Sequence, residues 1–456
     1  MKRIDVTKYG ILPNTDELLT KKIQKLINEL SDGDELYFPK GKYVLSTIFL
    51  KSNITIHLSS GAFLLGSLNF YDYEKLEKVD YPLYQDVSHS YFHCSMFVGE
   101  HLDNISIIGK GTIDMRSVWD EDNVNQIVHR GAKVISLKEC NHVLIEGINI
   151  KNATDLAVYF ASCNHVIIRR LNLRVYIDGI SPDNSKDVLI EDCDVYSGDD
   201  GIVFKSSYNL NKLDECNNVI VRNCRIKSRC YCIKFGTESN GGFKDFYIHD
   251  ISMKDTRIGG IAIESTDGAI INNIKIERIK MINVNAPLYV MLGGRLRGPA
   301  GSKIGKVSNI TISDLEARGP FKTYRTIAWN YISFKNKMIT QFHWNYHGQE
   351  HIKPTKEMKE KPWQFTSNLC GYPNYYLENI TLKNFYIEVD GGVKKGQYVE
   401  EIKDRNDGYP EVYANGWILP ASGIYFRHIK NLTLDNIKIV PLHEDERETM
   451  IFDDVI

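Results

Sequence analysis

Along most of the chain a short polar residue precedes alternating apolar positions, and this unit returns again and again. It reads Asn53-Ile54-Thr55-Ile56, Asn104-Ile105-Ser106-Ile107, Asn141-His142-Val143-Leu144-Ile145, Asn164-His165-Val166-Ile167-Ile168, Lys186-Asp187-Val188-Leu189-Ile190 and Asn217-Asn218-Val219-Ile220-Val221. It continues in Lys244-Asp245-Phe246-Tyr247-Ile248, Asn273-Ile274-Lys275-Ile276, Asn309-Ile310-Thr311-Ile312, Asn379-Ile380-Thr381-Leu382 and Asn431-Leu432-Thr433-Leu434. Alternation of period two predicts short strands that bury one face. Units starting at 141, 164, 186, 217 and 244 follow one another at intervals of 23, 22, 31 and 27 residues. A constant strand with a variable remainder is what a solenoid gives when loops are inserted on one face. The spacing is too short for propeller blades, and the leucine-rich consensus is missing. The pattern predicts an all-β parallel β-helix.

The first 32 residues read differently. A strand is expected from Arg3 to Lys8, then an amphipathic helix carrying Leu18, Leu19, Ile23, Leu26, Ile27 and Leu30, with Asn14-Thr15-Asp16 as N-cap candidates and Asp32-Gly33-Asp34 as its end. Such a helix would cap the open end of the core, as solenoids require for solubility. The whole chain, 1–456, is expected to form one solenoid domain. Two insertions interrupt it, near 68–93, rich in Tyr and Asp, and near 320–375, which carries Trp329, His343, Trp344, His347, His351 and Trp363. Both are too long for turns and are expected to wall the binding face. The histidine spacing in the second matches no metal-ligand pattern. Cys193 and Cys224 hold equal offsets in their repeats and are expected in an inward-facing ladder of small buried residues.

Composition narrows the function classes. At 456 residues the chain exceeds the usual size of one compact core, as a repeat architecture allows. A net charge of −2 gives no electrostatic case for nucleic acid or an anionic membrane. No apolar run approaches a membrane span, and no signal-peptide core follows the first residues, so a cytoplasmic location is expected, or a secreted one if a leader precedes this sequence. Nine scattered cysteines fit reduced, buried thiols better than a disulfide framework. The 26 tyrosines and 18 phenylalanines suit a sugar-binding surface and equally a β-rich core. Nothing in the pattern fixes the oligomeric state.

The chemistry gathers in Tyr176-Ile177-Asp178-Gly179 and Ser197-Gly198-Asp199-Asp200-Gly201. Asp178 and Asp199 lie 21 positions apart, close to one repeat, so their segments are expected side by side. Counted from the repeat starts, Asp155, Asp178 and Asp200 share one offset, with Asp199 just before it and Tyr231 one repeat later. Adjacent rungs stack about 4.8 Å apart. Carboxylates that close cannot all ionise freely, and glycosidic cleavage needs such a group: one acid for the leaving oxygen and one base for water. Asp-rich turns also bind calcium, and an exposed Asp ladder has no necessary function. Gly198 and Gly201 flank the pair and allow close backbone approach.

These residues carry a resemblance. Asp178-Gly179-Ile180-Ser181-Pro182-Asp183 with Gly198-Asp199-Asp200-Gly201-Ile202-Val203-Phe204-Lys205-Ser206 resembles the Asn-Thr-Asp-Gly and Gly-Asp-Asp motifs of family 28 glycoside hydrolases, the polygalacturonase family, at that family's separation. The likeness runs from Ile4-Asp5-Val6-Thr7-Lys8-Tyr9-Gly10 through Phe49-Leu50-Lys51-Ser52-Asn53-Ile54-Thr55-Ile56-His57-Leu58 to the last repeats. It implies a right-handed parallel β-helix and hydrolysis with inversion and without a cofactor or metal. Asp199 would be the general acid, with Asp178 and Asp200 positioning and deprotonating the water.

Departures from the family pattern are informative. Tyr176-Ile177 replaces Asn-Thr, and Ser181 stands where another Asp is common. The Gly-His-Gly motif aligns with Cys230-Tyr231-Cys232, and the Arg-Ile-Lys motif that holds a galacturonate carboxylate aligns with Ala262-Ile263-Glu264. Losing both cations and gaining Glu264 argues against a uronate carboxylate at that subsite. Further candidate substrate contacts are Lys234, Glu238, Arg295, Arg297 and Arg130. Lys205 and Lys234 are equally consistent with a solvated, snorkelling face. The expected partner is an oligosaccharide, derived from pectin and of rhamnogalacturonan or galacturonan type, cleaved from one end in a pocket closed by the insertions. A β-helix polysaccharide lyase or epimerase, and a non-catalytic glycan-binding β-helix, are the alternatives.

Overall fold

The computed structural model describes residues 2–118, 131–319, 364–402, 404, 408–416 and 418–456, and the backbone of 333–334 and 337–338. The physical reason for the repeat is visible at its polar residue. In each unit the residue just before the first inward apolar position is left-handed, from Asn53, Asn104, His142, His165, Asp187 and Asn218 to Asp245, Asn273, Asn309, Asn379 and Asn431, with φ between 52° and 60°. Asn, Asp and His are the residues with side chains that tolerate this region best. Their side chains also bond from coil to coil: Asn104 Nδ2 donates to Asn53 Oδ1 at 2.8 Å, and Asn431 Nδ2 to Asn379 Oδ1 at 3.0 Å.

The chain forms two compact units, Met1–Arg225 and Ile226–Ile456. In the first, a coil consists of three short strands, each paired in parallel with its equivalent one coil on. Asn141–Glu146, Asn149–Lys151 and Val158–Ala161 pair with Asn164–Arg169, Asn172–Arg174 and Ile180–Asp183. These pair in turn with Lys186–Glu191, Asp194–Ser197 and Ile202–Ser206. Val143, Val166, Val188 and Val219 stack in register, as do Ile145, Ile168, Ile190 and Val221, and all are buried. Each such side chain contributes about 1.5–3 kcal/mol by leaving water. Cys193 and Cys224 are buried as expected, and all nine cysteines are free thiols.

The second unit uses longer strands. Gly242–Ser265 pairs with Ile270–Leu292, which pairs with Lys306–Arg318, so that Ile248, Ile276 and Ile312 stack, followed by Leu382 and Leu434. The insertion near 320–375 ends sooner than its sequence indicates. Ser367–Cys370 is a buried strand in register with Tyr289–Met291, because its side chains complete the core there. Trp329, His343, Trp344, His347, His351 and Trp363 lie outside the described residues.

At the N-terminus two expectations need correction. The first strand is only Arg3–Asp5; Val6–Tyr9 is a 3₁₀ turn capped by the Asp5 side chain, which accepts from Thr7 N. The helix runs Thr20–Glu29, later than Asn14-Thr15-Asp16 suggests, and has no side-chain cap. Asn14 accepts from Lys42 N instead, and Leu19 N donates to Val44 O, so this stretch is held extended against the sheet. The helix buries Ile23, Leu26 and Ile27. Its Gln24 amide bonds both backbone groups of Phe49, at 2.9 and 2.8 Å, standing in for a neighbouring strand. Among the described residues no helix is long and apolar enough to cross a membrane.

Candidate active site

In the first unit the register sets two of the three expected carboxylates level, and the third, Asp199, stands beside Asp200. Ile180 pairs with Ile202, and Gly179 N donates to Asp200 O at 3.0 Å, which sets Asp178 level with Asp200 one coil on. Both side chains are buried, and Asp178 Oδ1 accepts the Asp200 backbone N–H at 3.1 Å. Asp199 is only half-buried. Asp199 and Asp200 lie in the bend between the strands Asp194–Ser197 and Ile202–Ser206, where their carboxylate oxygens come within 4.8 Å of each other while Asp199 stays the more accessible. Gly198 makes the turn possible. A Cβ there would stand 2.0 Å from Tyr176 O, a backbone atom that cannot move aside.

Asp155 does not share the Asp178 position. Asn149 pairs with Asn172, 23 residues on, but Val158 pairs with Ile180, only 22 on, so the coil shortens by one residue between these strands. Leu156 therefore stands level with Asp178, and a slip of one residue redirects every side chain. The Asp155 carboxylate is instead closed off, accepting from Leu156 N at 2.8 Å and Ser88 Oγ at 2.9 Å.

Ser88 belongs to the insertion at 68–93, which packs closely onto this face. The insertion includes the 3₁₀ turn Val87–His89, and it buries Tyr73 and Phe92. Glu77 accepts from Phe92 N and His93 N, closing the loop on itself. Tyr159 OH donates to His89 O at 2.8 Å, Lys133 Nζ to Tyr91 O at 2.7 Å, and Gln85 Nε2 to Tyr208 O at 3.2 Å. The result sets the His89 Nε2 3.9 Å from Asp178 Oδ2, with both side chains buried. Sequence reading did not single out His89. The available signal was its place in an insertion expected to wall the site.

Behind the loop lies a buried polar network that also escaped sequence reading. Asp183, fully buried, accepts from Ser207 N at 2.9 Å, Asn209 Nδ2 at 2.9 Å and Tyr159 OH at 3.2 Å. Asn184 Nδ2 donates to Asn209 Oδ1 and Ser207 O. Lys205 is in register with Asp183 and is buried, so it does not lie on a solvated face. Buried polar groups with this many partners rigidify what they hold.

The second unit gathers the other candidates. Tyr231 is fully buried; its hydroxyl donates to Glu411 Oε2 at 2.9 Å and accepts from Val412 N at 3.1 Å. Burial first, then the Glu411 and Glu264 charges, push this hydroxyl well above the usual tyrosine range, so it stays protonated. Its ring lies over Gly259, where a Cβ would come within 2.7 Å of it. Lys234 is buried rather than solvated; its Nζ sits 4.9 Å above the Tyr231 ring and 3.9 Å from Glu264 Oε1. Glu264 and Glu238 are buried. Arg297 pairs with Glu238 and keeps about a third of its side chain exposed. Arg295 is bound more tightly: Nε donates to Asp267 Oδ1 at 2.9 Å and Nη2 to Thr237 O at 2.8 Å, leaving only 10% of the side chain exposed. Burial opposes its charge, yet the Asp267 carboxylate raises the guanidinium above its ordinary range. Glu411, 180 positions from Tyr231, had no sequence signal. Arg130 lies outside the described residues.

Comparisons with known proteins agree with the architecture. The model of glycosyl hydrolases family 28 matches residues 34–345. A probable polygalacturonase of Vitis vinifera is 25% identical over 269 residues, 55% of each chain. An exo-poly-alpha-D-galacturonosidase of Dickeya chrysanthemi is 33% identical over 165 residues, 34% of this chain and 27% of that protein. The chain thus spans about half the length of the first relative and about a quarter of the second. The solved exopolygalacturonase of Thermotoga maritima superposes with a TM-score of 0.64 at 16% identity, covering 85% of this chain and 87% of that one. That likeness identifies the fold as a β-helix. With its family model matched over more than half its length, the chain belongs to glycosyl hydrolases family 28.

Proposed function

We propose that the chain hydrolyses α-glycosidic bonds of pectin-derived oligosaccharides with inversion, acting from one end of the substrate. The observation that carries this reading is the register-locked pair Asp178 and Asp200 beside the more exposed Asp199. In this reading Asp199, open to solvent, protonates the leaving oxygen, while Asp178 and Asp200 hold and deprotonate the attacking water. Environments that differ this way let neighbouring carboxylates take opposite roles. The coil is right-handed, as nearly all parallel crossovers are, and the helix Thr20–Glu29 covers its N-terminal end. Exo action is supported by the anchored insertion at 68–93, which narrows the approach to Asp178, and by the similarity to the exo-poly-alpha-D-galacturonosidase of Dickeya chrysanthemi.

The sugar bound by the Tyr231 and Glu264 group is a neutral, hydroxyl-bearing residue rather than a uronate. Glu264 is buried and already stands 3.9 Å from the buried Lys234 ammonium, so a further carboxylate at this group would meet a like charge. This favours oligosaccharides of rhamnogalacturonan type. A panel of defined pectic oligosaccharides with neutral or uronate terminal residues tests the reading. Turnover of the neutral-ended set, abolished by Asp199→Asn, is expected. Cleavage of oligogalacturonates alone, or a product absorbing through a new carbon–carbon double bond, would overturn it.

A further inference from the structure

The insertion at 68–93 does more than narrow an approach. It delivers an imidazole to one of the buried carboxylates from outside the coil. His89 Nε2 stands 3.9 Å from Asp178 Oδ2, while Asp178 Oδ1 is committed to the Asp200 N–H. Four contacts fix the loop that carries His89: Ser88 to Asp155, Tyr159 to the His89 carbonyl, Lys133 to the Tyr91 carbonyl and Gln85 to the Tyr208 carbonyl. The Tyr159 ring meets the imidazole edge-on, with centroids 5.7 Å apart, and Phe92 stacks on that tyrosine at 5.4 Å. A side chain placed this firmly beside a carboxylate is positioned for a purpose.

We infer that His89 is a positioning residue for the reaction: as an imidazolium it holds Asp178 ionised and aimed, so that Asp178 accepts the proton of the attacking water. This rests on the roles proposed above for the Asp group. The surrounding charges favour the imidazolium. Asp178 faces it directly, Asp155 is held by the preceding residue, and Asp183 lies behind the Tyr159 hydroxyl. On the other side stand Lys133, whose Nζ is 5.9 Å from the Tyr159 ring centroid, and Lys205, in register with Asp183. Asp200, buried and level with Asp178, adds a fourth carboxylate, and a protonated His89 offsets part of the excess over the two ammonium groups. An opposite charge within about 4–6 Å favours the ionised carboxyl, and the effect is larger in a buried site. No atom is transferred to His89 in the cycle; the water proton goes to the carboxylate.

The test is a pH profile of kcat/KM on the best substrate of the panel, for the wild type, His89→Gln and His89→Ala, with thermal unfolding to confirm folding. Glutamine keeps a donor near the Nε2 position without the charge. If charge is the function, the acid limb moves up by about one pH unit in both variants, a roughly tenfold loss on the acid side, with KM little changed. Full rescue by His89→Gln, or a profile lowered evenly without a shift, would overturn the inference and leave a packing role. A second readout needs no turnover. In histidine-labelled protein the His89 resonances should titrate at lower pH in Asp178→Asn than in the wild type; an unchanged midpoint contradicts the pairing. If the wild type hydrolyses nothing, the proposed function fails, while the NMR titration still decides the pair.

Discussion

Gly198→Ala is the sharpest test of how the backbone builds the candidate site. The new Cβ would lie 2.0 Å from Tyr176 O, 2.8 Å from Tyr176 C and 3.1 Å from its Cα, whereas real Cβ contacts do not fall under 3.0 Å. At least 1.0 Å must therefore open between two backbone segments, because no flexible side chain is available to yield. Those segments carry Asp178 and Asp199–Asp200. Overpacking of this kind costs about 1–3 kcal/mol of stability. A displacement of about 1 Å at a catalytic constellation can cost roughly 10²-fold in rate. The assay is denaturant unfolding together with kcat on the best oligosaccharide. Gly408→Ala, with nothing within 4 Å of its added Cβ, serves as the matched control and should change neither quantity measurably. Wild-type kcat and midpoint in Gly198→Ala would refute the reasoning, since the close approach would then not constrain the site.

Three further outcomes are expected. Ile168→Ala, in the middle of the Ile145–Ile168–Ile190 stack, should lose about 2–5 kcal/mol in denaturant unfolding, whereas Ile167→Ala on the half-exposed outer face should lose far less. Asp183→Asn leaves Ser207 N, Asn209 Nδ2 and Tyr159 OH with a poorer acceptor, and about 1–3 kcal/mol should be lost in denaturant unfolding. Lys275, then the Tyr247 hydroxyl and Arg278, hold the Glu277 carboxyl down at about 2 against an ordinary 4.5. Its folded value is depressed, so the stabilisation is complete above pH 4.5 and lost as pH falls toward 2. Glu277→Gln should flatten that part of an acid-unfolding curve and leave the neutral region with a small, constant deficit.

Much of the fold was legible because a two-residue period leaves little freedom once one face is buried. Val143, Val166 and Val188 could be aligned by eye, and they do stack. The left-handed residue explains why Asn, Asp or His recurs there, a reason the pattern alone did not supply. Legibility failed where the decisive contact is distant in sequence or where one residue is gained or lost within a coil. The change of interval from 23 to 22 residues displaced Asp155 from the position counted for it. Asn14 looked like a helix cap because its own neighbours suit one, yet it bonds Lys42, 28 positions away. His89 and Glu411 are brought to their partners by loops whose course no local propensity specifies. Lys205 and Lys234 are buried because carboxylate and aromatic neighbours from other strands receive them.

The central claim is that Asp199 and the Asp178–Asp200 pair cleave a glycosidic bond by direct attack of water. The most direct measurement is proton NMR of the first product as it forms, with Asp199→Asn alongside. The inverted anomer is expected at the earliest time points, with a loss of about 10²–10⁴-fold in the variant. Retention of configuration, or turnover by Asp199→Asn close to that of the wild type, would contradict it.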